Sequence, residues 1–548
     1  MPTEVVETRL PGARGRLRAG ERKRLVIADA LSPEGVQILA GADGLEVDDR
    51  SGRSREEVRD ALAGAAALIV RSATQVDEDL LARADTLEVI GRAGVGVDNI
   101  DVEAATRRGI AVLNAPGGNT VSTAELTFGL MLAVARRIVE ADRAVRAGSW
   151  PRTELHGSQL RGKVLGVIGA GRIGSEVVRR GRAFGMHVLV TDPYLTTERA
   201  RDLSAESVEL EELLARADFV SIHAPLTESS RGMVGEAEFR LMKPEAVLVN
   251  AARGGIVDED ALAAALREGQ LGGAALDVFE VEPLPADHPL RSAPRLVITP
   301  HLGAATAEAQ REVAMEIAAA VRDALLAGDL RAAVNAPRVD PDLRAEFEPL
   351  LELARRLGVL AYELTGGRCE RVDLRYAGPF EDVLRALAAG AMEGYLRRTV
   401  DRPLNLVNSL VLAAERGIRV GRVRTGDSAA YLHYVELSVR DGNDLVAGGA
   451  FLGEGHARLV RIGRYRISTV PSGTLVILRN RDVPGVIGEV GTRLGAAGIN
   501  IAEYHQSRQE VGGEALAMIT VDDPLGPGLL AELRSLPSVS EVRQVSFD

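Results

Sequence analysis

Short apolar runs alternate with amphipathic stretches along most of the chain, and the period of that alternation divides it. Between Arg24 and Pro116 the runs "RLVIADA", "AALIVRSA", "LEVIGRAG" and "IAVLNAPG" have almost no polar positions. Strands buried on both faces of a parallel sheet read this way, and helical stretches separate them. The stretch "NTVSTAELTFGLMLAVARRIVEADRAVRAGSW" predicts one long helix, opened by a capping box at Ser122 and Glu125 and ended at Gly148 after Arg146. Its middle is apolar nearly all round, which predicts burial between two bodies.

A second series follows: "KVLGVIGAG", "HVLVTD", "FVSIHAPL", "AVLVNAA", "AALDVF" and "RLVITPH". Runs like these separated by helices predict a doubly wound sheet. A helical stretch from Ala305 to Leu326 closes the region and is expected to pack back on the first lobe, leaving a cleft between two crossings. Residues from about 331 to 470 mix helices with a hairpin signal, "YVELSVRDGNDLVAGGAF", whose turn carries Asp441-Gly442. The final segment reads βαββαβ: "GTLVILRN", "PGVIGEVGTRLGAAG", "NIAEYHQSR", "EALAMITVD", "GPGLLAELRSL", "VSEVRQVSF".

The expected fold class is therefore α/β, with two doubly wound parallel-sheet lobes followed by an α+β domain and a ferredoxin-like βαββαβ domain. The expected division is 1–23 as a disordered extension, 24–119 with 301–330 as the first lobe, 120–300 as the second, then 331–470 and 471–548.

Composition narrows the function. The net charge of −12 argues against a nucleic-acid surface, and 3% aromatic residues argue against base-stacking platforms. One cysteine, Cys369, permits no internal disulfide and fits a reducing cytoplasm. The start has arginines but no apolar signal-peptide core, and no run approaches the roughly 18 apolar residues that span a bilayer.

"GAGRIG", Gly169 to Gly174, follows an apolar strand and opens a helix, and Asp192 ends the next strand. In that context Gly169 makes the turn, Gly171 admits a pyrophosphate, and Gly174 allows close helix packing, with Arg172 and Ile173 between them. Asp192 suits a ribose diol and repels a phosphate there, which favours NAD over NADP. At later strand ends stand Arg253, whose fork matches a carboxylate, Glu282, and His301 in "ITPHLGAAT". Each has a plain alternative: an ion pair of Arg253 with Asp258 or Asp277, a solvated Glu282, a structural His301. Their convergence where open sheets bind ligands favours chemistry.

"GAGRIGSEV", "NAARGGIVDEDAL", "LDVFEVEPLP" and "TPHLGAATAEAQ", in this order, resemble the D-isomer-specific 2-hydroxyacid dehydrogenases over about residues 24 to 330. "VRSAT", "GRAGVGVDNIDVEAATRRGI" and "NAPGGNTVSTAE", with the two additional domains, narrow the resemblance to the long-form branch acting on 3-phospho-D-glycerate. The resemblance implies a substrate-binding lobe, a Rossmann NAD-binding lobe, an intervening domain and a terminal ACT domain. It implies His301 as general acid/base, Glu282 as its partner and Arg253 as the anchor of the substrate carboxylate. Arg71 and Arg92 match positions that bind substrate and its phosphate across the cleft, a task shared by backbone amides at Gly94, Val95 and Gly96; otherwise these arginines would pair with Asp98 or Asp101. Ala251, Ala252, Asp277 and Gly303 align with further cofactor contacts.

In the terminal domain Asp482 and Gly485 open a helix suited to an amino-acid effector, and Asn500 matches a position reaching across a paired domain. Asn480 stands where relatives often carry histidine or an aromatic residue. The implied whole is an NAD-dependent cytoplasmic homotetramer without a metal, oxidising 3-phospho-D-glycerate to 3-phosphooxypyruvate and inhibited by L-serine. The rivals are a reductase of glyoxylate, hydroxypyruvate or 2-oxoglutarate, and a non-catalytic NAD-sensing regulator.

Overall fold

A computed structural model describes residues 21–337, 343–380, 382–426, 431–440, 444–452 and 456–547. The expected N-terminal extension falls outside them as far as residue 20, as does the Asp441-Gly442 turn. Among the described residues no helix is long and apolar enough to cross a membrane.

The first sheet comprises β1 (Lys23–Ile27), β2 (Leu45–Asp49), β3 (Ala67–Val70), β4 (Val89–Arg92) and β5 (Ala111–Asn114), all parallel, in the order β2-β1-β3-β4-β5. Its central strands are apolar on both faces because both are covered: Val26, Leu68 and Ile90 meet Val58, Leu62 and Leu80, while Leu25, Ile27 and Val89 meet Val313, Ile317 and Val321. The last three lie on the helix Ala307–Ala327, which returns to this sheet as expected, capped by the Thr306 side chain. Its approach is close enough that a Cβ at Gly35 would sit 2.8 Å from the Ala314 carbonyl oxygen. The sequence reading missed β2, an edge strand whose "LEVDD" lacks a continuous apolar run.

The second sheet runs β12-β11-β10-β9-β6-β7-β8, all parallel: β6 (Val164–Ile168), β7 (His187–Thr191), β8 (Glu206–Ser207), β9 (Phe219–Ile222), β10 (Val247–Asn250), β11 (Gly273–Leu276) and β12 (Leu296–Ile298). The six expected strands are present, with the two-residue β8 added at the edge. Strand order reverses beside β6, so the carboxyl ends of β6 and β9 flank a crevice.

The expected long helix is two helices. Thr120–Ala135 packs Phe128, Met131 and Val134 against this sheet and its helices, and the chain then turns left-handed at Arg137 (φ 53) before Ile138–Arg146. The second helix has no buried residue, so nothing holds it in line with the first. The expected capping box is absent too, since the helix starts at Thr120. Ser122 lies inside its first turn and donates to the Gly303 carbonyl, while Glu125 pairs with Arg180.

The third sheet runs β14-β13-β15-β16-β17-β18: β13 (Arg371–Ala377), β14 (Arg419–Thr425), β15 (Tyr434–Arg440), β16 (Leu445–Leu452), β17 (His456–Ile462) and β18 (Tyr465–Thr469). β15 and β16 pair antiparallel, as the hairpin signal predicted. The fourth sheet runs β20-β21-β19-β22, antiparallel: β19 (Thr474–Arg481), β20 (Ile501–Arg508), β21 (Glu514–Val521) and β22 (Val539–Ser546). Helices Val486–Ala496 and Pro527–Arg534 cover one face. The other face, with Leu475, Ile477, Leu516 and Met518, shares a core with the third sheet's helices. The terminal βαββαβ unit is therefore packed on the domain before it.

Candidate active site

The glycine turn after β6 has the shape its residues dictate. Gly169 is left-handed (φ 94), and Gly171 caps the helix Arg172–Ala183. A Cβ at Gly174 would run into the Gly169 carbonyl oxygen, whereas one at Gly171 would meet open space. The turn is thus closed beneath and open above, as a pyrophosphate cradle requires. Arg172 is exposed and Ile173 half-buried against the sheet core. Asp192, at the end of β7, accepts the Ala170 and Tyr194 amides at 2.8 Å each, and its half-exposed carboxylate stays beside the turn.

His223, just past β9, lies under the same turn. Burial pushes its pKa down to about 3, so it is neutral, and Nε2 sits 2.8 Å from Ser221 Oγ. The sequence reading passed over it because "SIHAPL" gives no sign that the histidine faces the glycines.

At the end of β10 the Asn250 side chain braces the next turn, accepting the Ala252 amide at 3.0 Å and donating to the Arg253 carbonyl at 2.9 Å. Ala251 is buried there. A Cβ at Gly254 would collide with the Phe279 carbonyl, so the turn carrying Arg253 is packed against the loop carrying Glu282. Neither expected alternative partner takes Arg253. Asp258 caps the helix Glu259–Arg267, and Arg253 reaches across the cleft, its Nε 3.3 Å from Asp98 Oδ2.

Asp277 is fully buried after β11. It accepts Thr299 Oγ1 at 2.6 Å, the Leu302 amide at 2.7 Å and the Gly303 amide at 2.9 Å. Both of its oxygens are therefore engaged in shaping the loop that presents His301. Gly303 is buried, and its carbonyl accepts Ser122 Oγ and Thr123 Oγ1.

His301, left-handed at φ 55, points Nδ1 at Glu282 Oε2, 2.8 Å away, and Glu282 Oε1 accepts the Phe279 amide at 3.0 Å. The hydrogen bond to Glu282 raises the His301 pKa above its ordinary 6.5 against opposing burial. Burial acts to raise Glu282, but the bonds from His301 and the Phe279 amide outweigh it and leave it lowered. Since the carboxylate accepts, Nδ1 carries the proton and Nε2 of the neutral ring is a base.

Across the cleft, Arg71 and Arg92 end β3 and β4. Neither makes the alternative ion pair: Asp98 pairs with Arg253, and Asp101 caps the helix Val102–Arg107. Among the described residues, Arg71 Nη1 reaches the Ala30 carbonyl at 3.4 Å and Arg92 Nη1 the Ala93 carbonyl at 3.5 Å, and Arg92 Nε is buried with no partner. Burial first, then the neighbouring Arg253, lowers the Arg92 pKa, with Arg71 adding to the repulsion. Three guanidinium groups thus gather where Asp98 and Asp29 are the neighbouring carboxylates, and the balance still leaves Arg92 with its charge disfavoured, an excess that an anion would relieve. A Cβ at Gly94 would fall on the Arg92 guanidinium, and one at Gly96 on Arg253 and Asp98. The Gly94 amide already donates to the Arg92 carbonyl at 2.8 Å, and the Val95 carbonyl accepts Asn114 Nδ2 at 2.6 Å.

In the fourth sheet, Gly485 (φ 99) opens the helix Val486–Ala496. Asp482 is already engaged: it accepts Arg508 Nη1 at 2.6 Å, the Gly512 amide at 3.2 Å and Gln506 Nε2 at 3.4 Å. Arg508 foremost holds its carboxyl below the usual range. Asn480 is buried, its Nδ2 donating to the Arg481 carbonyl at 2.7 Å and its Oδ1 unpartnered. Tyr504 Oη and Gln506 Oε1, unnoticed in the sequence, are also buried and unpartnered. Asn500 donates to Asp522 Oδ2 at 2.8 Å.

Comparison with known proteins agrees with this layout. Residues 128–303 match the NAD-binding domain of the D-isomer specific 2-hydroxyacid dehydrogenases, 346–463 the D-3-phosphoglycerate dehydrogenase intervening domain, and 474–538 the ACT domain. The chain is 40% identical over 532 residues to the D-3-phosphoglycerate dehydrogenase of Archaeoglobus fulgidus, covering 96% of this chain and 100% of that one. It is 38% identical over 529 residues to the enzyme of the same name from Synechocystis sp., covering 96% and 95%. Among solved structures, the TT0316 protein from Thermus thermophilus is similar with a TM-score of 0.52 and 39% identity, over 57% of this chain and 99% of that one.

Proposed function

This chain belongs to the D-3-phosphoglycerate dehydrogenases, NAD-dependent oxidoreductases, and from that membership we propose the residues that carry the reaction and its control. Arg253 holds the carboxylate of 3-phospho-D-glycerate, Arg71 and Arg92 hold its phosphate from the other lobe, and the hydroxyl-bearing carbon lies between them. His301 Nε2 takes the hydroxyl proton as the carbonyl of 3-phosphooxypyruvate forms. Glu282 stabilises the resulting imidazolium, each pKa unit of stabilisation being worth about 1.4 kcal/mol. NAD, when bound, accepts the hydride. The turn from Gly169 to Gly174 carries its pyrophosphate and Asp192 its adenosine ribose, with Ala251, Ala252 and Gly303 beside the nicotinamide half. Asp277 acts one layer back, by holding the His301 loop.

The observation that carries this reading is the hydrogen-bonded His301–Glu282 pair beside three clustered arginines, of which Arg253 pairs with Asp98 while Arg92 stays electrostatically strained by its neighbours. A reductase of unphosphorylated acids has no use for the unpaired Arg92, and a non-catalytic NAD sensor has none for an assembled acid/base pair. Around this centre we read a cytoplasmic homotetramer inhibited by L-serine, which binds the terminal domain near Asn480, Asp482, Gly485 and Asn500.

The test is NAD-linked oxidation of 3-phospho-D-glycerate beside D-glycerate, with L-serine titrated into the faster reaction. Turnover of the phosphorylated acid alone, suppressed by serine, is the expected result. Preference for D-glycerate would overturn the phosphate site, and indifference to serine would remove the regulatory reading.

A further inference from the structure

The linker leaving β5, Ala115 to Asn119, carries the chain from the first sheet to the helix Thr120–Ala135 on the second. Its start is tied to the turn beside Arg92: the Ala115 amide donates to the Gly94 carbonyl at 2.9 Å, and Asn114 Nδ2 to the Val95 carbonyl at 2.6 Å. Its next two free amides converge on one side chain. Glu316 Oε2 accepts Gly117 N at 3.1 Å and Gly118 N at 3.0 Å, with Oε1 3.2 Å from Gly117 N. Consecutive amides around an anion form a stiff, charge-assisted joint. Glycine is required at position 118, where a Cβ would press to 2.6 Å on the Val313 backbone nitrogen, and a Cβ at Gly117 would sit tightly, 3.1 Å from the carboxylate.

Glu316 belongs to the helix Ala307–Ala327, packed on the first lobe, and a second set of ties holds both crossings from the side of the second lobe. Asp277 holds the Thr299–Gly303 loop, Ser122 and Thr123 hold the Gly303 carbonyl, and Thr306 Oγ1 stands 3.2 Å from Ser122 Oγ. The crossings are therefore laced together on the NAD side, and the glutamate clasps the linker on the substrate side.

We propose that Glu316 is a positioning residue for the dehydrogenase reaction: it fixes the pivot at Gly117–Gly118 and thereby sets the separation of Arg71 and Arg92 from His301 as the cleft closes. This rests on the substrate roles assigned above to those arginines. Glu316 bonds to the Gly117 and Gly118 amides and to none of the residues assigned above to substrate or dinucleotide, so its effect would fall on cleft geometry.

The experiment compares Glu316→Gln, Glu316→Asp and Arg92→Gln in the full-length enzyme, with Glu312→Gln, exposed on the same helix, as the control. Glu316→Gln keeps the size and loses the charge. KM for 3-phospho-D-glycerate is expected to rise about tenfold or more, the usual scale for a lost charged hydrogen bond. NADH binding, read by fluorescence, is expected to stay within twofold (~2, on the same scale) because its residues lie beyond the pivot. Glu316→Asp, one methylene short, gives an intermediate KM and decides alone should the glutamine variant not fold. A KM unchanged in the Glu316 variants but raised in Arg92→Gln overturns the proposal, as does parallel loss of NADH binding. An unchanged KM in Arg92→Gln instead overturns the substrate reading.

Discussion

His301 Nδ1 and Glu282 Oε2 stand 2.8 Å apart, although 19 residues separate them and they follow different strands of the second sheet. The bond fixes the tautomer, and with it the nitrogen that faces the cleft.

The pH dependence follows from the direction of the two shifts. Oxidation needs His301 neutral, so kcat/KM should climb with pH through a midpoint above 6.5, because Glu282 raises that pKa. Glu282→Gln should move the midpoint down towards 6.5 and lower kcat by about 10²-fold or more. For stability the signs oppose. The raised histidine contributes fully below 6.5 and loses its contribution as pH rises through its folded pKa. The lowered glutamate contributes above 4.5 and loses its contribution as pH falls through its own. A pH–rate profile whose acid limb stays put in Glu282→Gln would contradict the pairing.

Arg92→Gln removes a buried guanidinium with no acid of its own. The variant should fold well, since the repulsion from Arg253 goes with it. Its kcat/KM for 3-phospho-D-glycerate should fall about 10²-fold, the scale of a charge-assisted phosphate contact, while D-glycerate turnover barely changes. An equal fall on both substrates would show that Arg92 supports the lobe and does not select the phosphate.

How much of this was legible in the chain depends on how local each signal is. The apolar strands of the two parallel sheets, though not β2 or β8, could be read from their runs, and so could the placement of the glycine turn, Asp192, Arg253, Glu282 and His301 at or just beyond strand ends, where ligands bind. The break at Arg137 could not, because neither glycine nor proline marks it; the helix ends where its partner surface ends. Nor could Asp98 be matched to Arg253, a pair that exists only after two lobes meet, or Glu316 to Gly117 and Gly118, which lie about two hundred positions away in the chain. Asp482 looked available in sequence for the same reason: Arg508 lies on another strand.

Asn335 shows the same long-range dependence in stability. It is buried beside β5, accepting the Val112 amide and donating to Thr106 Oγ1 and the Ile110 carbonyl, each at 2.9 Å. Asn335→Ala leaves three backbone or hydroxyl groups unmatched in a dry site and should cost about 2 to 3 kcal/mol. It should lower the first thermal transition seen by calorimetry, with the terminal domains unaffected. A transition within a degree or so (~1) of wild type would mean water replaces the side chain there.

Asp192→Asn tests cofactor choice. The carboxylate accepts the Ala170 and Tyr194 amides, and an asparagine can keep only one of those bonds while losing the charge that repels a 2′-phosphate. NAD affinity should fall and the NAD:NADP preference in kcat/KM narrow by about tenfold. A preference left intact would place the selection elsewhere in the turn.

The terminal domain gives the least obvious expectation. The Asp482 carboxylate, the natural partner for an effector's ammonium group, is already held by Arg508 at 2.6 Å, with the Gly512 amide and Gln506 Nε2 on the same group. On the effector site proposed above, L-serine would have to displace a guanidinium to reach Asp482, which would weaken its apparent affinity by the strength of that pair. Both ends of the pair lie near the surface, so the penalty is modest, on the order of tenfold or less. Arg508→Gln should accordingly bind L-serine several-fold (~5) more tightly in calorimetry, and be inhibited at lower serine concentrations, with turnover in the absence of serine unchanged. Asp482→Asn should lose binding in either background. If Arg508→Gln binds serine no more tightly while Asp482→Asn abolishes binding, the arginine is a bystander. If wild type and both variants ignore serine, the terminal domain answers to something else.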